Sequence, residues 1–334
     1  MHSTQSPRAQ SPLMWLRLQL YPYRRHFKWL RRVAQWQMQL SIRETLQWRF
    51  CRWVSLLTTD PDERILWQMP GTKLKFTLDP LETIQMYLYY RKGFQPEIGR
   101  WVRAGLQPDA LFIDAGANIG IQSLIAADFF RAKLGASALP LVYAFEPNPR
   151  ILEQLQENIR LNDLQDFVCA LPYAVSDRRA TTQFFLSSQD NSASSSLAAL
   201  GPGHLHTGQT VEVQTLTLAD FVRDIANNRR VGLLKLDIEG AELLALRGAK
   251  TLLARDHPTI IMEVYPALLR AFGYAYADIC AFLKAHGVAC RCRLRRHNLL
   301  SHIEKKFRII MSCSHAIILP AAPLRRRRAG TRIG

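Results

Sequence analysis

From Leu111 onward, short runs in which nearly every position is apolar alternate with longer stretches whose apolar residues recur every three or four positions. The first kind of run predicts buried strands and the second amphipathic helices. Strands are expected at Leu111–Ala115, Leu141–Phe145, Phe167–Val175 with a break at Pro172, Gly232–Asp237 and Thr259–Val264. The intervening helices fall at Ile119–Phe130, Asn148–Leu161 and Ala241–Ala254. Strands without polar alternation, each followed by a helix, predict an α/β fold: a mostly parallel sheet covered by helices on both faces. Phe307–Ser312 and Ala316–Leu319 read as strands closing that sheet. Ahead of it, Lys73–Thr77 alternates like a strand, while Pro80–Lys92 and Pro96–Ala104 read as helices. The Ser-rich segment Ser187–Ser196 and the segment Gly201–Gly208 read as loop.

The first 70 residues follow a different pattern. Five of the seven tryptophans lie before residue 54, and Trp29, Val33, Trp36 and Leu40 form a helical stripe flanked by Lys28, Arg31 and Arg32. Such a stripe suits either the protein's own body or an anionic membrane surface. Charge sharpens the division. Residues 1–60 hold 10 Lys+Arg and 2 acids, and residues 291–334 hold 12 and 1, within a chain of net charge +17. A near-neutral body thus carries two basic ends, including Arg325–Arg328. The expected organisation is a basic helical extension over 1–70, one domain over 71–320 with its core at 90–265, and a basic disordered tail over 321–334. No apolar run approaches the roughly 20 residues of a membrane-spanning helix, and scattered cysteines suit a reducing, cytoplasmic setting. Cys290, Cys292, His297 and His302 imitate a zinc set poorly, because Cys-x-Cys with widely set histidines lacks the usual tight pairs.

Three clusters carry candidate chemistry. Asp114-Ala-Gly-Ala-Asn-Ile-Gly120 ends the first strand, where glycines let the backbone turn tightly toward a ligand at a helix start. The spacing departs from the G-x-G-x-x-G of dinucleotide sites. Glu146 ends the second strand, 32 residues after Asp114, where an acid can accept hydrogen bonds from both ribose hydroxyls of an adenosine. The third cluster runs from Lys235 to Glu242 (KLDIEGAE), and Glu263 ends the neighbouring strand. Charges at the carboxyl end of a buried strand are costly unless paired or used. Lys235 pairing with an acid is the plain reading; Asp237 and Glu239 are the candidates for function.

In order and spacing these clusters resemble the FkbM family of S-adenosylmethionine-dependent methyltransferases. The matching segments are FIDAGANIG (112–120), AFEPNP (144–149), NIRLN (158–162), LKLDIEGAE (234–242), LRGA (246–249) and PTIIMEV (258–264), with GFQP (93–96) ahead of them. The resemblance implies a Rossmann-like class I methyltransferase fold with a seven-stranded sheet. It also implies S-adenosylmethionine as cofactor and transfer of a methyl group to a hydroxyl of a sugar, glycan, glycolipid or secondary metabolite. Carried over, Asp114, Gly116, Asn118, Gly120, Glu146, Asn148 and Asp237 bind the cofactor, with adenine near Ala174–Asp177, and Asp237 and Glu239 are catalytic. Asn191, Ser195, His204, His206 and Glu263 are candidate acceptor contacts, and no metal is assigned. The basic ends, residues 13–57 and 325–328, suggest a peripheral position at the inner membrane face. An RNA methyltransferase and a non-catalytic, cofactor-binding scaffold are the alternatives.

Overall fold

The computed structural model describes residues 21–40, 43–60, 62–91, 96–135, 139–187, 195–198, 206–286 and 314–318. Asn191, His204, most of GFQP, the Cys290/Cys292/His297/His302 set, residues 13–20, the strand expected at 307–312 and the tail with Arg325–Arg328 lie outside the described residues, as does the side chain of His206.

A 3-10 helix at Tyr21–Phe27 precedes α1 (Leu30–Gln37) and α2 (Glu44–Thr58), then β1 (Ile65–Gln68), β2 (Lys75–Leu78), α3 (Thr83–Arg91) and α4 (Pro96–Gly105). The repeating part follows: β3 (Leu111–Ala115), α5 (Ile121–Leu134), β4 (Val142–Phe145), α6 (Pro149–Leu161), β5 (Val168–Leu171), β6 (Tyr173–Val175), β7 (Ala180–Ser187) and β8 (His206–Leu216). It continues through α7 (Leu218–Asp224), β9 (Val231–Leu236), α8 (Glu242–Arg247), α9 (Lys250–Asp256), β10 (Thr259–Val264), α10 (Pro266–Ala271), α11 (Tyr276–Ala285) and β11 (Ser314–Ile318).

The main sheet runs β11-β10-β9-β3-β4-β5. Its five central strands are parallel, and β11 pairs antiparallel with β10. Every residue of β3, β4 and β9 is buried. Successive side chains point to opposite faces, so both faces are covered, as the unbroken apolar runs require. Six strands of this sheet lie among the described residues. The chain leaves β3 toward β4 and β5 on one side, then returns to place β9 and β10 on the other. The crevice between β3 and β9 is therefore a topological switch point, where sheets of this kind bind ligands beyond the strand ends.

A separate three-stranded sheet, β6-β8-β7, flanks the first. Of the segments read as loop, the β7–β8 pair takes residues 187 and 206–208, while 188–194 and 201–205 lie outside the described residues. Residues 195–198 fold back along β7, with Phe185 N and Ser196 N each donating to the other's carbonyl at 2.8 and 3.0 Å. The helix expected over 241–254 is two helices, α8 and α9. The break falls at Gly248, where a Cβ would lie 2.3 Å from the Ser176 carbonyl oxygen, so close backbone contact with the β6 end takes priority over helix continuity.

The asparagines of NIRLN serve packing. On α6, Asn158 accepts from Thr77 N and donates to Ile119 O, while Asn162 accepts from Lys75 N and donates to Lys75 O, at 2.7–3.0 Å. Spaced four apart on one helix face, they hydrogen-bond the edge of β2 as a further strand would.

α1 packs through both polar and apolar side chains. Arg31, 7% exposed, donates to Thr58 O, to the Thr58 and Thr59 hydroxyls and to both Glu63 oxygens, at 2.8–3.1 Å. Burial would raise the Glu63 carboxyl, but hydrogen bonds from Arg31 and Lys28 hold it down at about 2. Ala34 meets Cys51, Val54, Met86 and Tyr90 in a small second core. Of the predicted stripe, Trp29 and Trp36 face outward, Val33 is half-buried and Leu40 lies past the end of α1.

Candidate active site

One pocket opens at the carboxyl ends of β3, β4, β9 and β10. Its lining includes Gly116, Asn118, Glu146, Ser195, Lys235, Asp237, Glu239 and Glu263. The sequence clusters thus converge, although their members differ in what they face.

After β3 the backbone turns through Gly116 (φ 76°) and Asn118 (φ 50°). A Cβ on Gly116 would lie 1.8 Å from the Asp237 carbonyl oxygen, so only glycine lets the β3 and β9 loops touch. Asp114 is fully buried beneath this turn and does not line the pocket. Its carboxylate accepts from Ser123 Oγ at 2.6 Å and faces Lys235 Nζ at 3.1 Å. Gly120 and Asn148 also stand back from the pocket: Gly120 is the N-cap of α5, and Asn148 caps α6 by accepting from Arg150 N at 3.2 Å. All three hold the loops that carry the pocket.

Glu146 is cradled by its neighbours. One carboxylate oxygen accepts from Asn118 N and the other from Asn148 N, both at 2.9 Å. A carboxylate oxygen can accept more than one hydrogen bond, so each retains capacity toward the pocket. Burial pushes this carboxyl up to about 7, with the two backbone donors opposing the shift.

Lys235 behaves as the plain reading has it. Its ammonium lies 3.1 Å from Asp114 and 3.2 Å from Asp237, and donates to Gly116 O at 3.3 Å. Burial works against the charge, but the two carboxylates outweigh it and raise the lysine's pKa above the ordinary value. Beyond the strand, Glu239 occupies the left-handed region (φ 52°) ahead of Gly240. This conformation is costly for a residue with a Cβ and is found where a site over-determines it. Burial, then repulsion from Asp237 and Glu242, drives the Glu239 carboxyl well above the usual range. Glu242, outside the pocket, holds the turn by accepting from Gly240 N at 3.1 Å, and burial lifts it to about 7. Ser196 Oγ donates to the Glu239 carbonyl at 2.9 Å, fastening the segment that brings Ser195 and Leu197 to the pocket.

The remaining wall is apolar: Ile84, Ile119, Phe145, Ile151, Tyr173, Ala174, Val175, Phe184 and Leu197. Ala174 and Val175 lie in the region expected for an adenine. Gln122 is a member sequence reading missed. It lines the pocket, and its Oε1 is buried without a partner; its place one residue into α5, just past the glycine turn, was the available signal. Of the acceptor candidates, Ser195 and Glu263 are in the lining, and His206 is located only by its backbone, opposite Ser187. Among the described residues no three His, Cys, Asp or Glu side chains converge as a metal site.

Residues 114–289, more than half of the chain, match the methyltransferase FkbM domain. The chain belongs to the FkbM methyltransferase family. Methyltransferase 1 of Beauveria bassiana is 29% identical over 195 residues, covering 54% of this chain and 73% of the relative. The hexuronic acid methyltransferase AglP of Haloferax volcanii is 26% identical over 213 residues, covering 64% of this chain and 79% of its own. A solved FkbM methyltransferase from Methylobacillus flagellatus aligns with a TM-score of 0.42 and 16% identity, over 85% of this chain and 57% of that one. For this FkbM protein, the matched span contains every pocket carboxylate described above.

Proposed function

We propose that this FkbM protein transfers a methyl group from S-adenosylmethionine to a hydroxyl oxygen of a sugar or glycan acceptor. The observation that carries the reading is the convergence of Glu146, Asp237, Glu239 and Glu263 in one pocket at the switch point of a parallel sheet. The pocket fits the cofactor on its own chemistry. The spare acceptor capacity of Glu146 suits a pair of ribose hydroxyls. The unpartnered Gln122 oxygen suits an ammonium group, and the Tyr173–Val175 and Phe184 wall suits an adenine ring.

When bound, S-adenosylmethionine supplies an electrophilic methyl group on a sulfonium sulfur. The chain then has to hold the acceptor oxygen in line with that carbon and take its proton. Asp237 carries its charge against Lys235 at 3.2 Å and is assigned as proton acceptor. Glu239, whose environment favours the neutral acid, orients the same hydroxyl. Opposed environments on neighbouring carboxyls are how such roles are divided. With the cofactor bound, Asp237 would take the hydroxyl proton as the acceptor oxygen gains the methyl group, the C–S bonding pair being left on the donor's sulfur. Glu263 and Ser195 are assigned to the acceptor. A sugar is favoured because several carboxylates suit a polyhydroxylated ligand, and because the Haloferax relative's name specifies a hexuronic acid.

The test is calorimetry with S-adenosylmethionine, S-adenosylhomocysteine and NAD, followed by turnover on a panel of sugars and uronic acids. Binding of the two sulfur ligands without NAD, and loss of turnover with retained binding in Asp237→Asn, are the expected results. Normal turnover in that variant would remove Asp237 from the proton-accepting role.

A further inference from the structure

α1 is two-sided: Leu30, Ala34 and Met38 pack into the small second core, and two tryptophans are left outward. Arg31, Ala34 and Gln37 are buried, while Trp29 and Trp36 are 60% and 59% exposed and Leu40 is 36% exposed. The orientation is fixed by the Arg31–Glu63 network and by Gln35 donating to Tyr89 O at 3.2 Å, so it is not a helix free to roll over. Exposed tryptophans at helical spacing have no role in the pocket. Around them stand exposed cations: Arg25 in the preceding turn, Lys28, and Arg32 between the two tryptophans on the helix surface. The first 60 residues hold 10 basic and 2 acidic side chains.

We infer that the outward face of α1 docks on an anionic lipid bilayer. Tryptophan rings partition to the headgroup level, aliphatic side chains reach the acyl boundary, and each basic residue near an anionic leaflet contributes about 1 kcal/mol. The charge of this face is complementary to such a surface, and two outward tryptophans flanking the half-buried Val33 suit a helix lying in the interface. No helix among the described residues is long and apolar enough to cross a membrane, and the proposed contact is peripheral. α3 supports the inward side of α1 through Tyr89 and Tyr90 and lines the pocket through Ile84. The docking does not depend on the proposed function.

The experiment is co-sedimentation of the full chain, without cofactor, with phosphatidylcholine vesicles and with vesicles containing roughly 30% phosphatidylglycerol. Trp29→Ser/Trp36→Ser and Arg25→Gln/Arg32→Gln variants are run alongside. These positions are exposed, and unchanged circular dichroism and S-adenosylhomocysteine binding verify that fold and pocket persist. Expected are binding to the anionic vesicles only, a loss of partitioning of about tenfold or more in the tryptophan variant, and a weaker, salt-sensitive loss in the arginine variant. Equal partitioning of the tryptophan variant, or none by the unaltered chain, would overturn the inference. So would a dimer dissolved by the tryptophan substitutions, or RNA binding that needs these tryptophans without vesicle binding.

Discussion

The Glu146 cradle makes ligand affinity depend on pH in a direction that follows from its geometry. The carboxyl titrates at about 7 rather than 4.5, because burial opposes its charge. Both oxygens face backbone N–H donors, so a proton on either one displaces a hydrogen bond and turns an acceptor into a donor. A ligand whose hydroxyls donate to Glu146 therefore binds the ionised form. With a pKa of about 7, roughly nine-tenths of the pocket is competent at pH 8 and roughly one-tenth at pH 6, so the apparent Kd for S-adenosylhomocysteine should weaken about tenfold between them. The linked effect on stability has the opposite sense. A carboxyl raised above its unfolded value contributes stability that is full below about 4.5 and is lost as pH rises through about 7. Ligand binding relieves this loss, so the rise in Tm on adding ligand should be larger at pH 8 than at pH 6. Calorimetry across pH 5.5–8.5, as an order-of-magnitude range around the folded value, reads the first effect and thermal melts the second. In Glu146→Gln the slope should vanish and affinity should be low throughout. A Kd that is flat with pH, or an undiminished slope in the variant, would refute the assignment, since Glu242 also titrates at about 7 and would then be responsible.

Other perturbations test the frame around the pocket. Lys235→Met strands Asp114 and Asp237 beside each other and should cost about 3–5 kcal/mol in urea unfolding, the range for breaking a buried ion pair. Gly116→Ala puts a methyl group 1.8 Å from the Asp237 oxygen; the β3 and β9 loops must part, and ligand binding should be lost even where circular dichroism is retained. Asn158→Ala leaves Thr77 N and Ile119 O without partners, for an expected loss of about 2 kcal/mol and faster hydrogen exchange at Thr77. Arg31→Met leaves Glu63 half-enclosed without its main partner, and proteolysis should then release residues before 60 first, since that network fastens α1 to the body.

The parallel sheet was legible because its strands announce themselves. Thr259–Val264 is apolar at four of six positions and forms a strand with the expected bounds, and Asp114, Glu146 and Asp237 mark three strand ends. Patterning is less informative where contact decides the outcome. Helical periodicity runs through 241–254, and nothing local shows that Gly248 must meet the Ser176 carbonyl. β7 and β8 carry no strand expectation over 180–186 and 209–216, because Thr, Gln and Glu interrupt there the apolar runs that mark the main sheet. At α1 the periodicity was read correctly, but the side that faces the body is set by Glu63, some 30 residues away in sequence. For Asp114, Gly120 and Asn148 the spacing locates the loop but not the contacts each side chain makes beneath it.

The pocket draws its walls from two separate sheets. Glu146, Asp237, Glu239 and Glu263 stand on or just beyond strands of the parallel one, whereas Phe184, Ser195 and Leu197 belong to the small sheet and the segment folded against it. Ser196 Oγ, donating to the Glu239 carbonyl, joins the two. Under the proposed function the small sheet therefore serves both ligands: Tyr173–Val175 and Phe184 flank the adenine, and Ser195 stands on the acceptor side. Exchange of residues 195–198 between relatives should change which hydroxyl compound is accepted while leaving the methyl donor the same.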